Sequence, residues 1–330
     1  MKILCISDPL TKIPRDSSVA LYNRLAEDPR FELYHLDANA VGPDDEIPVL
    51  RIPAPLSFQE FQSLAANPTT PTARYTDFDL VYSRTDKPFP PAFLPGLIRQ
   101  EKKVRFVAPP SSVLDCDPRT FYRSHFDGLL PPGLVTRSIT DAASFIRKTG
   151  AIVVKQNRSY GGKGIWRIRP VGALWVLDHG RDDLESCGRP EPLVERVLDT
   201  DADPFEFVRF LPNVGAGDKR VIVLDGEILG AILRVATDGS WINNLGRGGR
   251  AAEAMVGESE RKVIEATSKV YHERGLFFIG YDFLQDDGGE WIVSEINPGG
   301  NIGGFTGLER VTGRSLFPRL LDWLLELAAR

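Results

Sequence analysis

The stretch FIGYDFLQDDGGEWIVSEI, residues 278–296, leaves a chain little choice of local structure. Two alternating runs, 278–284 and 290–296, flank an Asp-Asp-Gly-Gly turn at 286–289, the pattern of a β-hairpin. Side chains two apart on a strand share a face, so Glu295 and Asn297 point the same way and Asp282 can meet them across the ladder. Carboxylates are costly to bury unpaired, and a convergent set of oxygen donors suits a hard cation such as Mg²⁺ that also holds phosphates. The alternative is a solvated hairpin whose acids face water. The Ile, Phe, Trp and Val residues around the acids favour the metal reading.

A chain of 330 residues is long enough for two or three subdomains, and 42% hydrophobic with 26% charged residues describes an ordinary globular protein. A net charge of -5 argues against nucleic acid as a partner, because such binding rests on phosphate neutralisation. The opening MKILCIS reads as a buried strand and not a signal peptide, and no run approaches the roughly 20 apolar residues of a membrane span. A cytoplasmic location with no membrane partner is expected. Cys5, Cys116 and Cys187 are scattered without metal or disulfide spacing, and four histidines stand apart from any Ser or Cys nucleophile motif.

Three parts follow from texture: 1–115, 116–191 and 192–330. In the first, KILCIS, FELYHL, DLVYSR and VRFVAP alternate with helix-like segments, which predicts a parallel sheet with crossover helices. Its ligand edge would carry the loops DPLTKIPRDSS and SRTDKPFPP. In the second, AIVVKQ and GIWRIR predict two strands joined by NRSYGGKG, whose glycines let backbone N–H groups approach phosphate oxygens while Lys163 adds charge. A tight hairpin welcomes glycine too, and the pattern fits neither a P-loop nor a dinucleotide fold. Lys155 could reach nucleotide phosphates from the preceding strand, or hold its tip in water. In the third, LVERVL, FEFVRFLP and VIVLDGEILGAI, with a strong Asp225-Gly226 turn signal, predict an antiparallel sheet under helical cover at 258–274 and 316–329. The loop NLGRGGR offers two arginines for carboxylate or phosphate, or is merely solvated.

Taken in order, VVKQNRSYGGKGIWRI, GDKRVIVLDGEILGAILR, NNLGRGGR, GYDF and SEINPGG resemble the ATP-grasp superfamily of carboxylate–amine ligases. Within it, DPLTKIPRDSS, SRTDKPFPPAF and PPSSVLDCDPRTF are similar to bacterial glutathione synthetase. The resemblance implies an α/β ATP-grasp fold: an N-terminal parallel-sheet domain and two lobes enclosing ATP. It further implies Mg²⁺ (or Mn²⁺) at Asp282, Glu295 and Asn297, and Lys155, Arg119, Gly161, Gly162 and Lys163 on the phosphates. Phe210 and Leu211 would lie beside the adenine, Arg220, Arg250 and Asn244 at the reacting groups, and Asp16, Ser17 and Arg84 on a thiol dipeptide. The implied reaction passes through an acylphosphate, without a side-chain nucleophile, and the implied state is a homo-oligomer. Two positions depart from the family pattern. Arg119 stands where a lysine is usual, and the Gly-rich PGGNIGGF after the last metal position, with NNLGRGGRAAE, is more like the glutamate ligases that extend peptide and protein tails. The expectations are therefore glutathione synthesis from γ-glutamylcysteine and glycine, a related amino-acid or peptide ligase, or a noncatalytic ATP-binding module.

Overall fold

Strand β1 (Lys2–Ser7) is buried at every position but its first, as a central strand covered on both faces must be. The computed structural model describes residues 1–330 apart from 14, 67–70, 88, 158, 160–163, 244–248 and 300–301, and only the backbone of 15 and 16. Parallel to β1 run β2 (Glu32–Asp37) and β6 (Leu80–Arg84), while β4 (Leu50–Ile52) adds to β2 antiparallel. Two short strands, β3 (Glu46–Pro48) and β5 (Thr72–Arg74), pair separately. Helices α1 (Ala20–Glu27), α2 (Phe58–Ala66) and α3 (Phe93–Ile98) complete this part. The expected strand VRFVAP makes a single parallel bridge, Val81 to Phe106, because the two prolines that follow cannot donate to a ladder.

The middle sheet has the order β11-β10-β9-β8-β12-β7. Its strands are β7 (Gly133–Thr136), β8 (Ile152–Lys155), β9 (Ile165–Val171), β10 (Leu174–His179), β11 (Asp182–Cys187) and β12 (Phe205–Arg209). The segment FEFVR, read from sequence with the part beginning at 192, is thus β12, lying between β7 and β8. Local pattern marks a strand but not its neighbour. Helix α6 (Ile139–Thr149) starts where the Ser138 hydroxyl accepts from the Asp141 N–H at 3.2 Å and stops at Gly150, whose φ is 85°. With α7 (Glu191–Leu198) it covers Ile152, Val154, Phe205 and Phe207, so the alternate residues Val153, Lys155, Glu206 and Val208 face the other way.

The third sheet runs β15-β14-β13-β16-β17, made of β13 (Asp218–Leu224), β14 (Glu227–Val235), β15 (Arg250–Ala254), β16 (Phe278–Gln285) and β17 (Trp291–Pro298). Asp225 and Gly226 have φ of 50° and 83°, the left-handed pair that a two-residue hairpin turn demands. One face, with Val221, Val223, Tyr281 and Phe283, packs on α8 (Glu258–His272) and on the aromatic side of α5 (Arg119–Phe126), which follows α4 (Pro110–Cys116). Ile222, Leu224 and Phe278 on the opposite face meet α9 (Ile302–Thr312) and α10 (Phe317–Ala329), in a core shared with Ile3, Leu21 and Leu25 of the first part. Among the described residues, no helix is long and apolar enough to cross a membrane.

Candidate active site

The helices cover only one end of that opposite face. Arg220 and Asp282 share it with Ile222 and Phe278 but lie beyond α9 and α10, and they look toward the side of the middle sheet that α6 and α7 do not cover. Asp282 stands opposite Glu295, and the Asn297 amide donates to Asp282 at 3.3 Å. A bulge between Asp282 and Phe283 sets this register, which leaves Ser294 to offer its carbonyl to the Lys155 ammonium at 2.9 Å.

The surroundings of the acids correct the sequence reading, which placed them among apolar residues. Ile279, Phe283, Trp291, Val293 and Ile296 point to the other face, and arginines surround the carboxylates. Asp282 accepts from Arg220 (the shorter contact through Nε, the other from Nη2 at 2.6 Å) and from Arg234 at 2.8 Å. Burial works to protonate it, but Arg220 and Arg234 overcome burial and hold its pKa below the usual carboxylate value. Asp218 accepts from Arg234 at 2.5 Å through one oxygen, while the other is buried without a hydrogen-bond partner among the described residues. Burial, reinforced by Asp282 and opposed by Arg234, pushes Asp218 up to about 7.

Across the cleft, Glu206 is 1% exposed and gathers three cations. Arg123 donates to it at 2.7 Å, Arg119 at 3.4 Å, and the Lys155 ammonium lies 4.0 Å away, with the Tyr122 hydroxyl donating at 3.0 Å. Burial opposes ionisation of both Lys155 and Glu206. It prevails at Lys155, whose pKa is lowered; at Glu206 the three cations prevail and hold it below its ordinary value. The Arg119 fork donates to the Gln156 carbonyl at 3.1 Å, to the Tyr122 hydroxyl at 2.8 Å and to Glu295 at 3.5 Å. A lysine, a point charge on a flexible stem, could not make that set at once.

Two clefts open onto this wall. The first, about 1040 Å³ including its mouth, lies between the middle and third sheets, and Lys155, Phe210, Leu211 and Trp241 are among its lining residues. The second, about 1400 Å³, lies between the first part and the third sheet, lined by Arg84, Lys87, Phe93 and Asn297 among others. Ser159, Arg220, Arg234 and Glu295 line both.

Most of the residues singled out from sequence meet here. Lys155, Arg119, Phe210, Leu211, Arg220, Asp282 and Glu295 line the first cleft, and Arg84 and Asn297 the second. Arg84 donates to the Ser17 hydroxyl at 3.0 Å. Arg250 is exposed at the start of edge strand β15 and is not among the residues lining either cleft. Gly161, Gly162, Lys163 and Asn244 lie outside the described residues, as does the side chain of Asp16. Sequence reasoning missed Arg234, Asp218, Glu206 and Trp241. Period-two spacing was a local signal for two of them, Arg234 after the buried Ile232 and Asp218 before Arg220. Among the described residues no three His, Cys, Asp or Glu side chains form a metal cluster, so the oxygen set is two carboxylates and the Asn297 amide.

Residues 120–301 match the family described as prokaryotic glutathione synthetase, ATP-grasp domain. A glutathione synthetase of Bradyrhizobium diazoefficiens is 30% identical over 223 residues, 67% of this chain and 64% of that protein, so the chain spans just under two thirds of that relative's length. One from Prochlorococcus marinus subsp. pastoris is 26% identical over 336 residues, covering 99% of this chain and 100% of its own. Among solved structures, D-alanyl-alanine synthetase A from Vibrio cholerae has a TM-score of 0.66 at 12% identity, covering 100% of this chain and 99% of its own. The ATP-grasp ligase PsnB, solved with minimal precursor, Mg and ADP, has a TM-score of 0.59 at 17% identity and covers 99% and 98%. Both likenesses are of fold.

Proposed function

Because the chain belongs to the prokaryotic glutathione synthetase family of ATP-grasp proteins, we propose that it is an ATP-dependent carboxylate–amine ligase, joining γ-glutamylcysteine to glycine. The observation that carries the proposal is the wall common to two clefts, since a donor in one and an acceptor in the other would meet at Arg220, Arg234 and Glu295. ATP would lie in the first cleft, its base beside Phe210 and Leu211 and its phosphates toward Lys155 and Arg220. Residues 160–163 carry the family's phosphate-covering glycines. The carboxylate substrate would occupy the second cleft, near Arg84, Ser17 and Asp16.

A carboxylate is a poor electrophile, so the γ-phosphoryl group is transferred to it, giving an acylphosphate and ADP. Arg220 and Arg234 sit where charge on the transferring group develops. The amine then attacks the acyl carbon, its proton is lost, and phosphate departs with the C–O bond. Arg250 and Asn244 are assigned to this second step from family position alone. Asp282, Glu295 and Asn297 fit Mg²⁺, and Mn²⁺ as a substitute, because their donors are all oxygen and Asp282 is ionised. When bound, the ion supplies positive charge against the phosphate oxygens. Until then Arg220, Arg234 and Arg119 keep those acids neutralised.

The three parts divide the labour accordingly, with the first serving the carboxylate substrate and the other two enclosing ATP, in a cytoplasmic homo-oligomer. A related ligase with another substrate pair is the second reading, supported by Pro298, Gly299, Ile302 and Gly303 of PGGNIGGF, which line the second cleft. Purified protein with Mg²⁺, ATP, γ-glutamylcysteine and glycine is expected to release phosphate and form glutathione. The Glu295→Gln variant should lose at least about a hundredfold in kcat while keeping its fold. Turnover only with other pairs selects the second reading, and nucleotide binding with no phosphate release from any pair selects a noncatalytic module.

A further inference from the structure

The segment 236–243 leaves the end of β14, in the third sheet, and crosses to the middle sheet at the end of the first cleft that holds Phe210 and Leu211. Asp238 lies 3.7 Å from Arg181 in an exposed ion pair, and two less exposed side chains, Asn243 and Trp241, hold the segment by hydrogen bonds. Asn243 donates to the Val214 carbonyl at 2.6 Å and accepts from the Ala236 N–H at 2.8 Å. Trp241 donates its indole N–H at 2.7 Å to Asp178 of β10, a carboxylate only 1% exposed and also bonded to Arg167 and Arg169. The indole meets the Phe210 ring edge-on, with centroids 6.1 Å apart and planes at 85°. The Arg167 guanidinium carbon lies 4.9 Å from the Phe210 centroid and 5.3 Å from that of Trp241. One large aromatic ring therefore lines the cleft, belongs by chain to one wall, and is bonded to the other.

We propose that Trp241 is a positioning residue that latches the third sheet to the middle sheet over the base end of a bound nucleoside di- or triphosphate. The inference rests on the ligase reading. The nucleotide enters and leaves past this ring, so the bond to Asp178 and the contacts with Arg167 set how long it stays. The chemistry occurs at the opposite end of the cleft, at Arg220 and Glu295, which the latch does not touch. Trp241 accordingly governs nucleotide affinity and leaves the rate of phosphoryl transfer alone.

The test uses the full chain and MgADP, which requires no knowledge of the acceptor. Replacing Trp241→Ala should weaken MgADP binding, measured by calorimetry, on the order of tenfold, and Trp241→Phe, which keeps a ring but loses the N–H, by roughly threefold. The KM for ATP should rise in parallel, with kcat within about twofold of the parent. The chain has five tryptophans, and a change in their emission on adding MgADP should be present in the parent and absent from Trp241→Phe. Unaltered MgADP affinity in both variants, or a fall in kcat at constant KM, overturns the inference. A parent protein that binds no MgADP sinks the ligase reading itself and this inference with it.

Discussion

Glu206 is ionised in a place that should forbid it, and only Arg119, Arg123 and Lys155 around it make that charge tolerable. Neutralising it leaves three buried cations facing one another. Glu206→Gln is therefore expected to lower stability by about 3–5 kcal/mol in denaturant unfolding, and a midpoint close to the parent's would show the cluster to be expendable. His35 is a cleaner case, because one cause acts alone. Burial lowers its pKa from 6.5 to about 3, while its Nδ1 lies 2.9 Å from the Tyr22 hydroxyl. The folded pKa is below the unfolded one, so this contribution is whole above pH 6.5 and is lost as pH falls from there toward 3. The loss can reach about 1.4 kcal/mol per pH unit. Between pH 7.5 and pH 5, His35→Gln should lose less stability than the parent. Equal losses would show that this imidazole contributes nothing to the acid limb.

The β13–β14 turn illustrates what an element takes from its own residues. Both turn residues have positive φ, and a methyl added at Gly226 would find its nearest neighbour, His272, at 3.5 Å, an ordinary contact. Any cost of Gly226→Ala is thus conformational, about 1 kcal/mol in thermal or denaturant unfolding, and no measurable loss would mean the turn can adopt another geometry. This hairpin and the 278–298 hairpin were both legible in sequence, because a turn and its flanking alternation are local facts. That Asp282, Glu295 and Asn297 come together was legible for the same reason. What lay beyond reach was set by partners distant along the chain. FEFVR looks alike in either sheet, and its neighbours β7 and β8 decide the matter. Around Asp282, the adjacent Tyr281 and Phe283 belong to the far face, so a linear reading saw Ile, Phe, Trp and Val where the fold supplies Arg220 and Arg234. Trp241 and Asp178 are 63 residues apart, with no periodicity to connect them.

At the scale of the molecule, the second cleft owes its shape to a core that belongs to neither of its walls alone. Helix α10 contributes Phe317, Leu320, Trp323 and Leu324 to one core with Ile3, Leu21 and Leu25 of the first part and Ile222, Leu224 and Phe278 of the third sheet. The first part and the third sheet thereby share apolar burial, and shared burial makes unfolding cooperative across them. Trp323 is fully buried and meets Phe277 edge-on at 6.4 Å. Truncating it should cost about 3–5 kcal/mol, since the cavity it leaves would be bounded by two bodies that cannot both close onto it. If the core is common property, Trp323→Ala shifts a single transition, and far-ultraviolet circular dichroism and Tyr fluorescence move together. If the two bodies hold independently, the melt divides, with one step near the parent's midpoint and one below it. A divided melt would show that the cleft between them is joined by contact without being joined in stability. On the proposed reading, a carboxylate and a phosphoryl donor would then rely on substrate binding, and not on the fold, to bring the two walls into register.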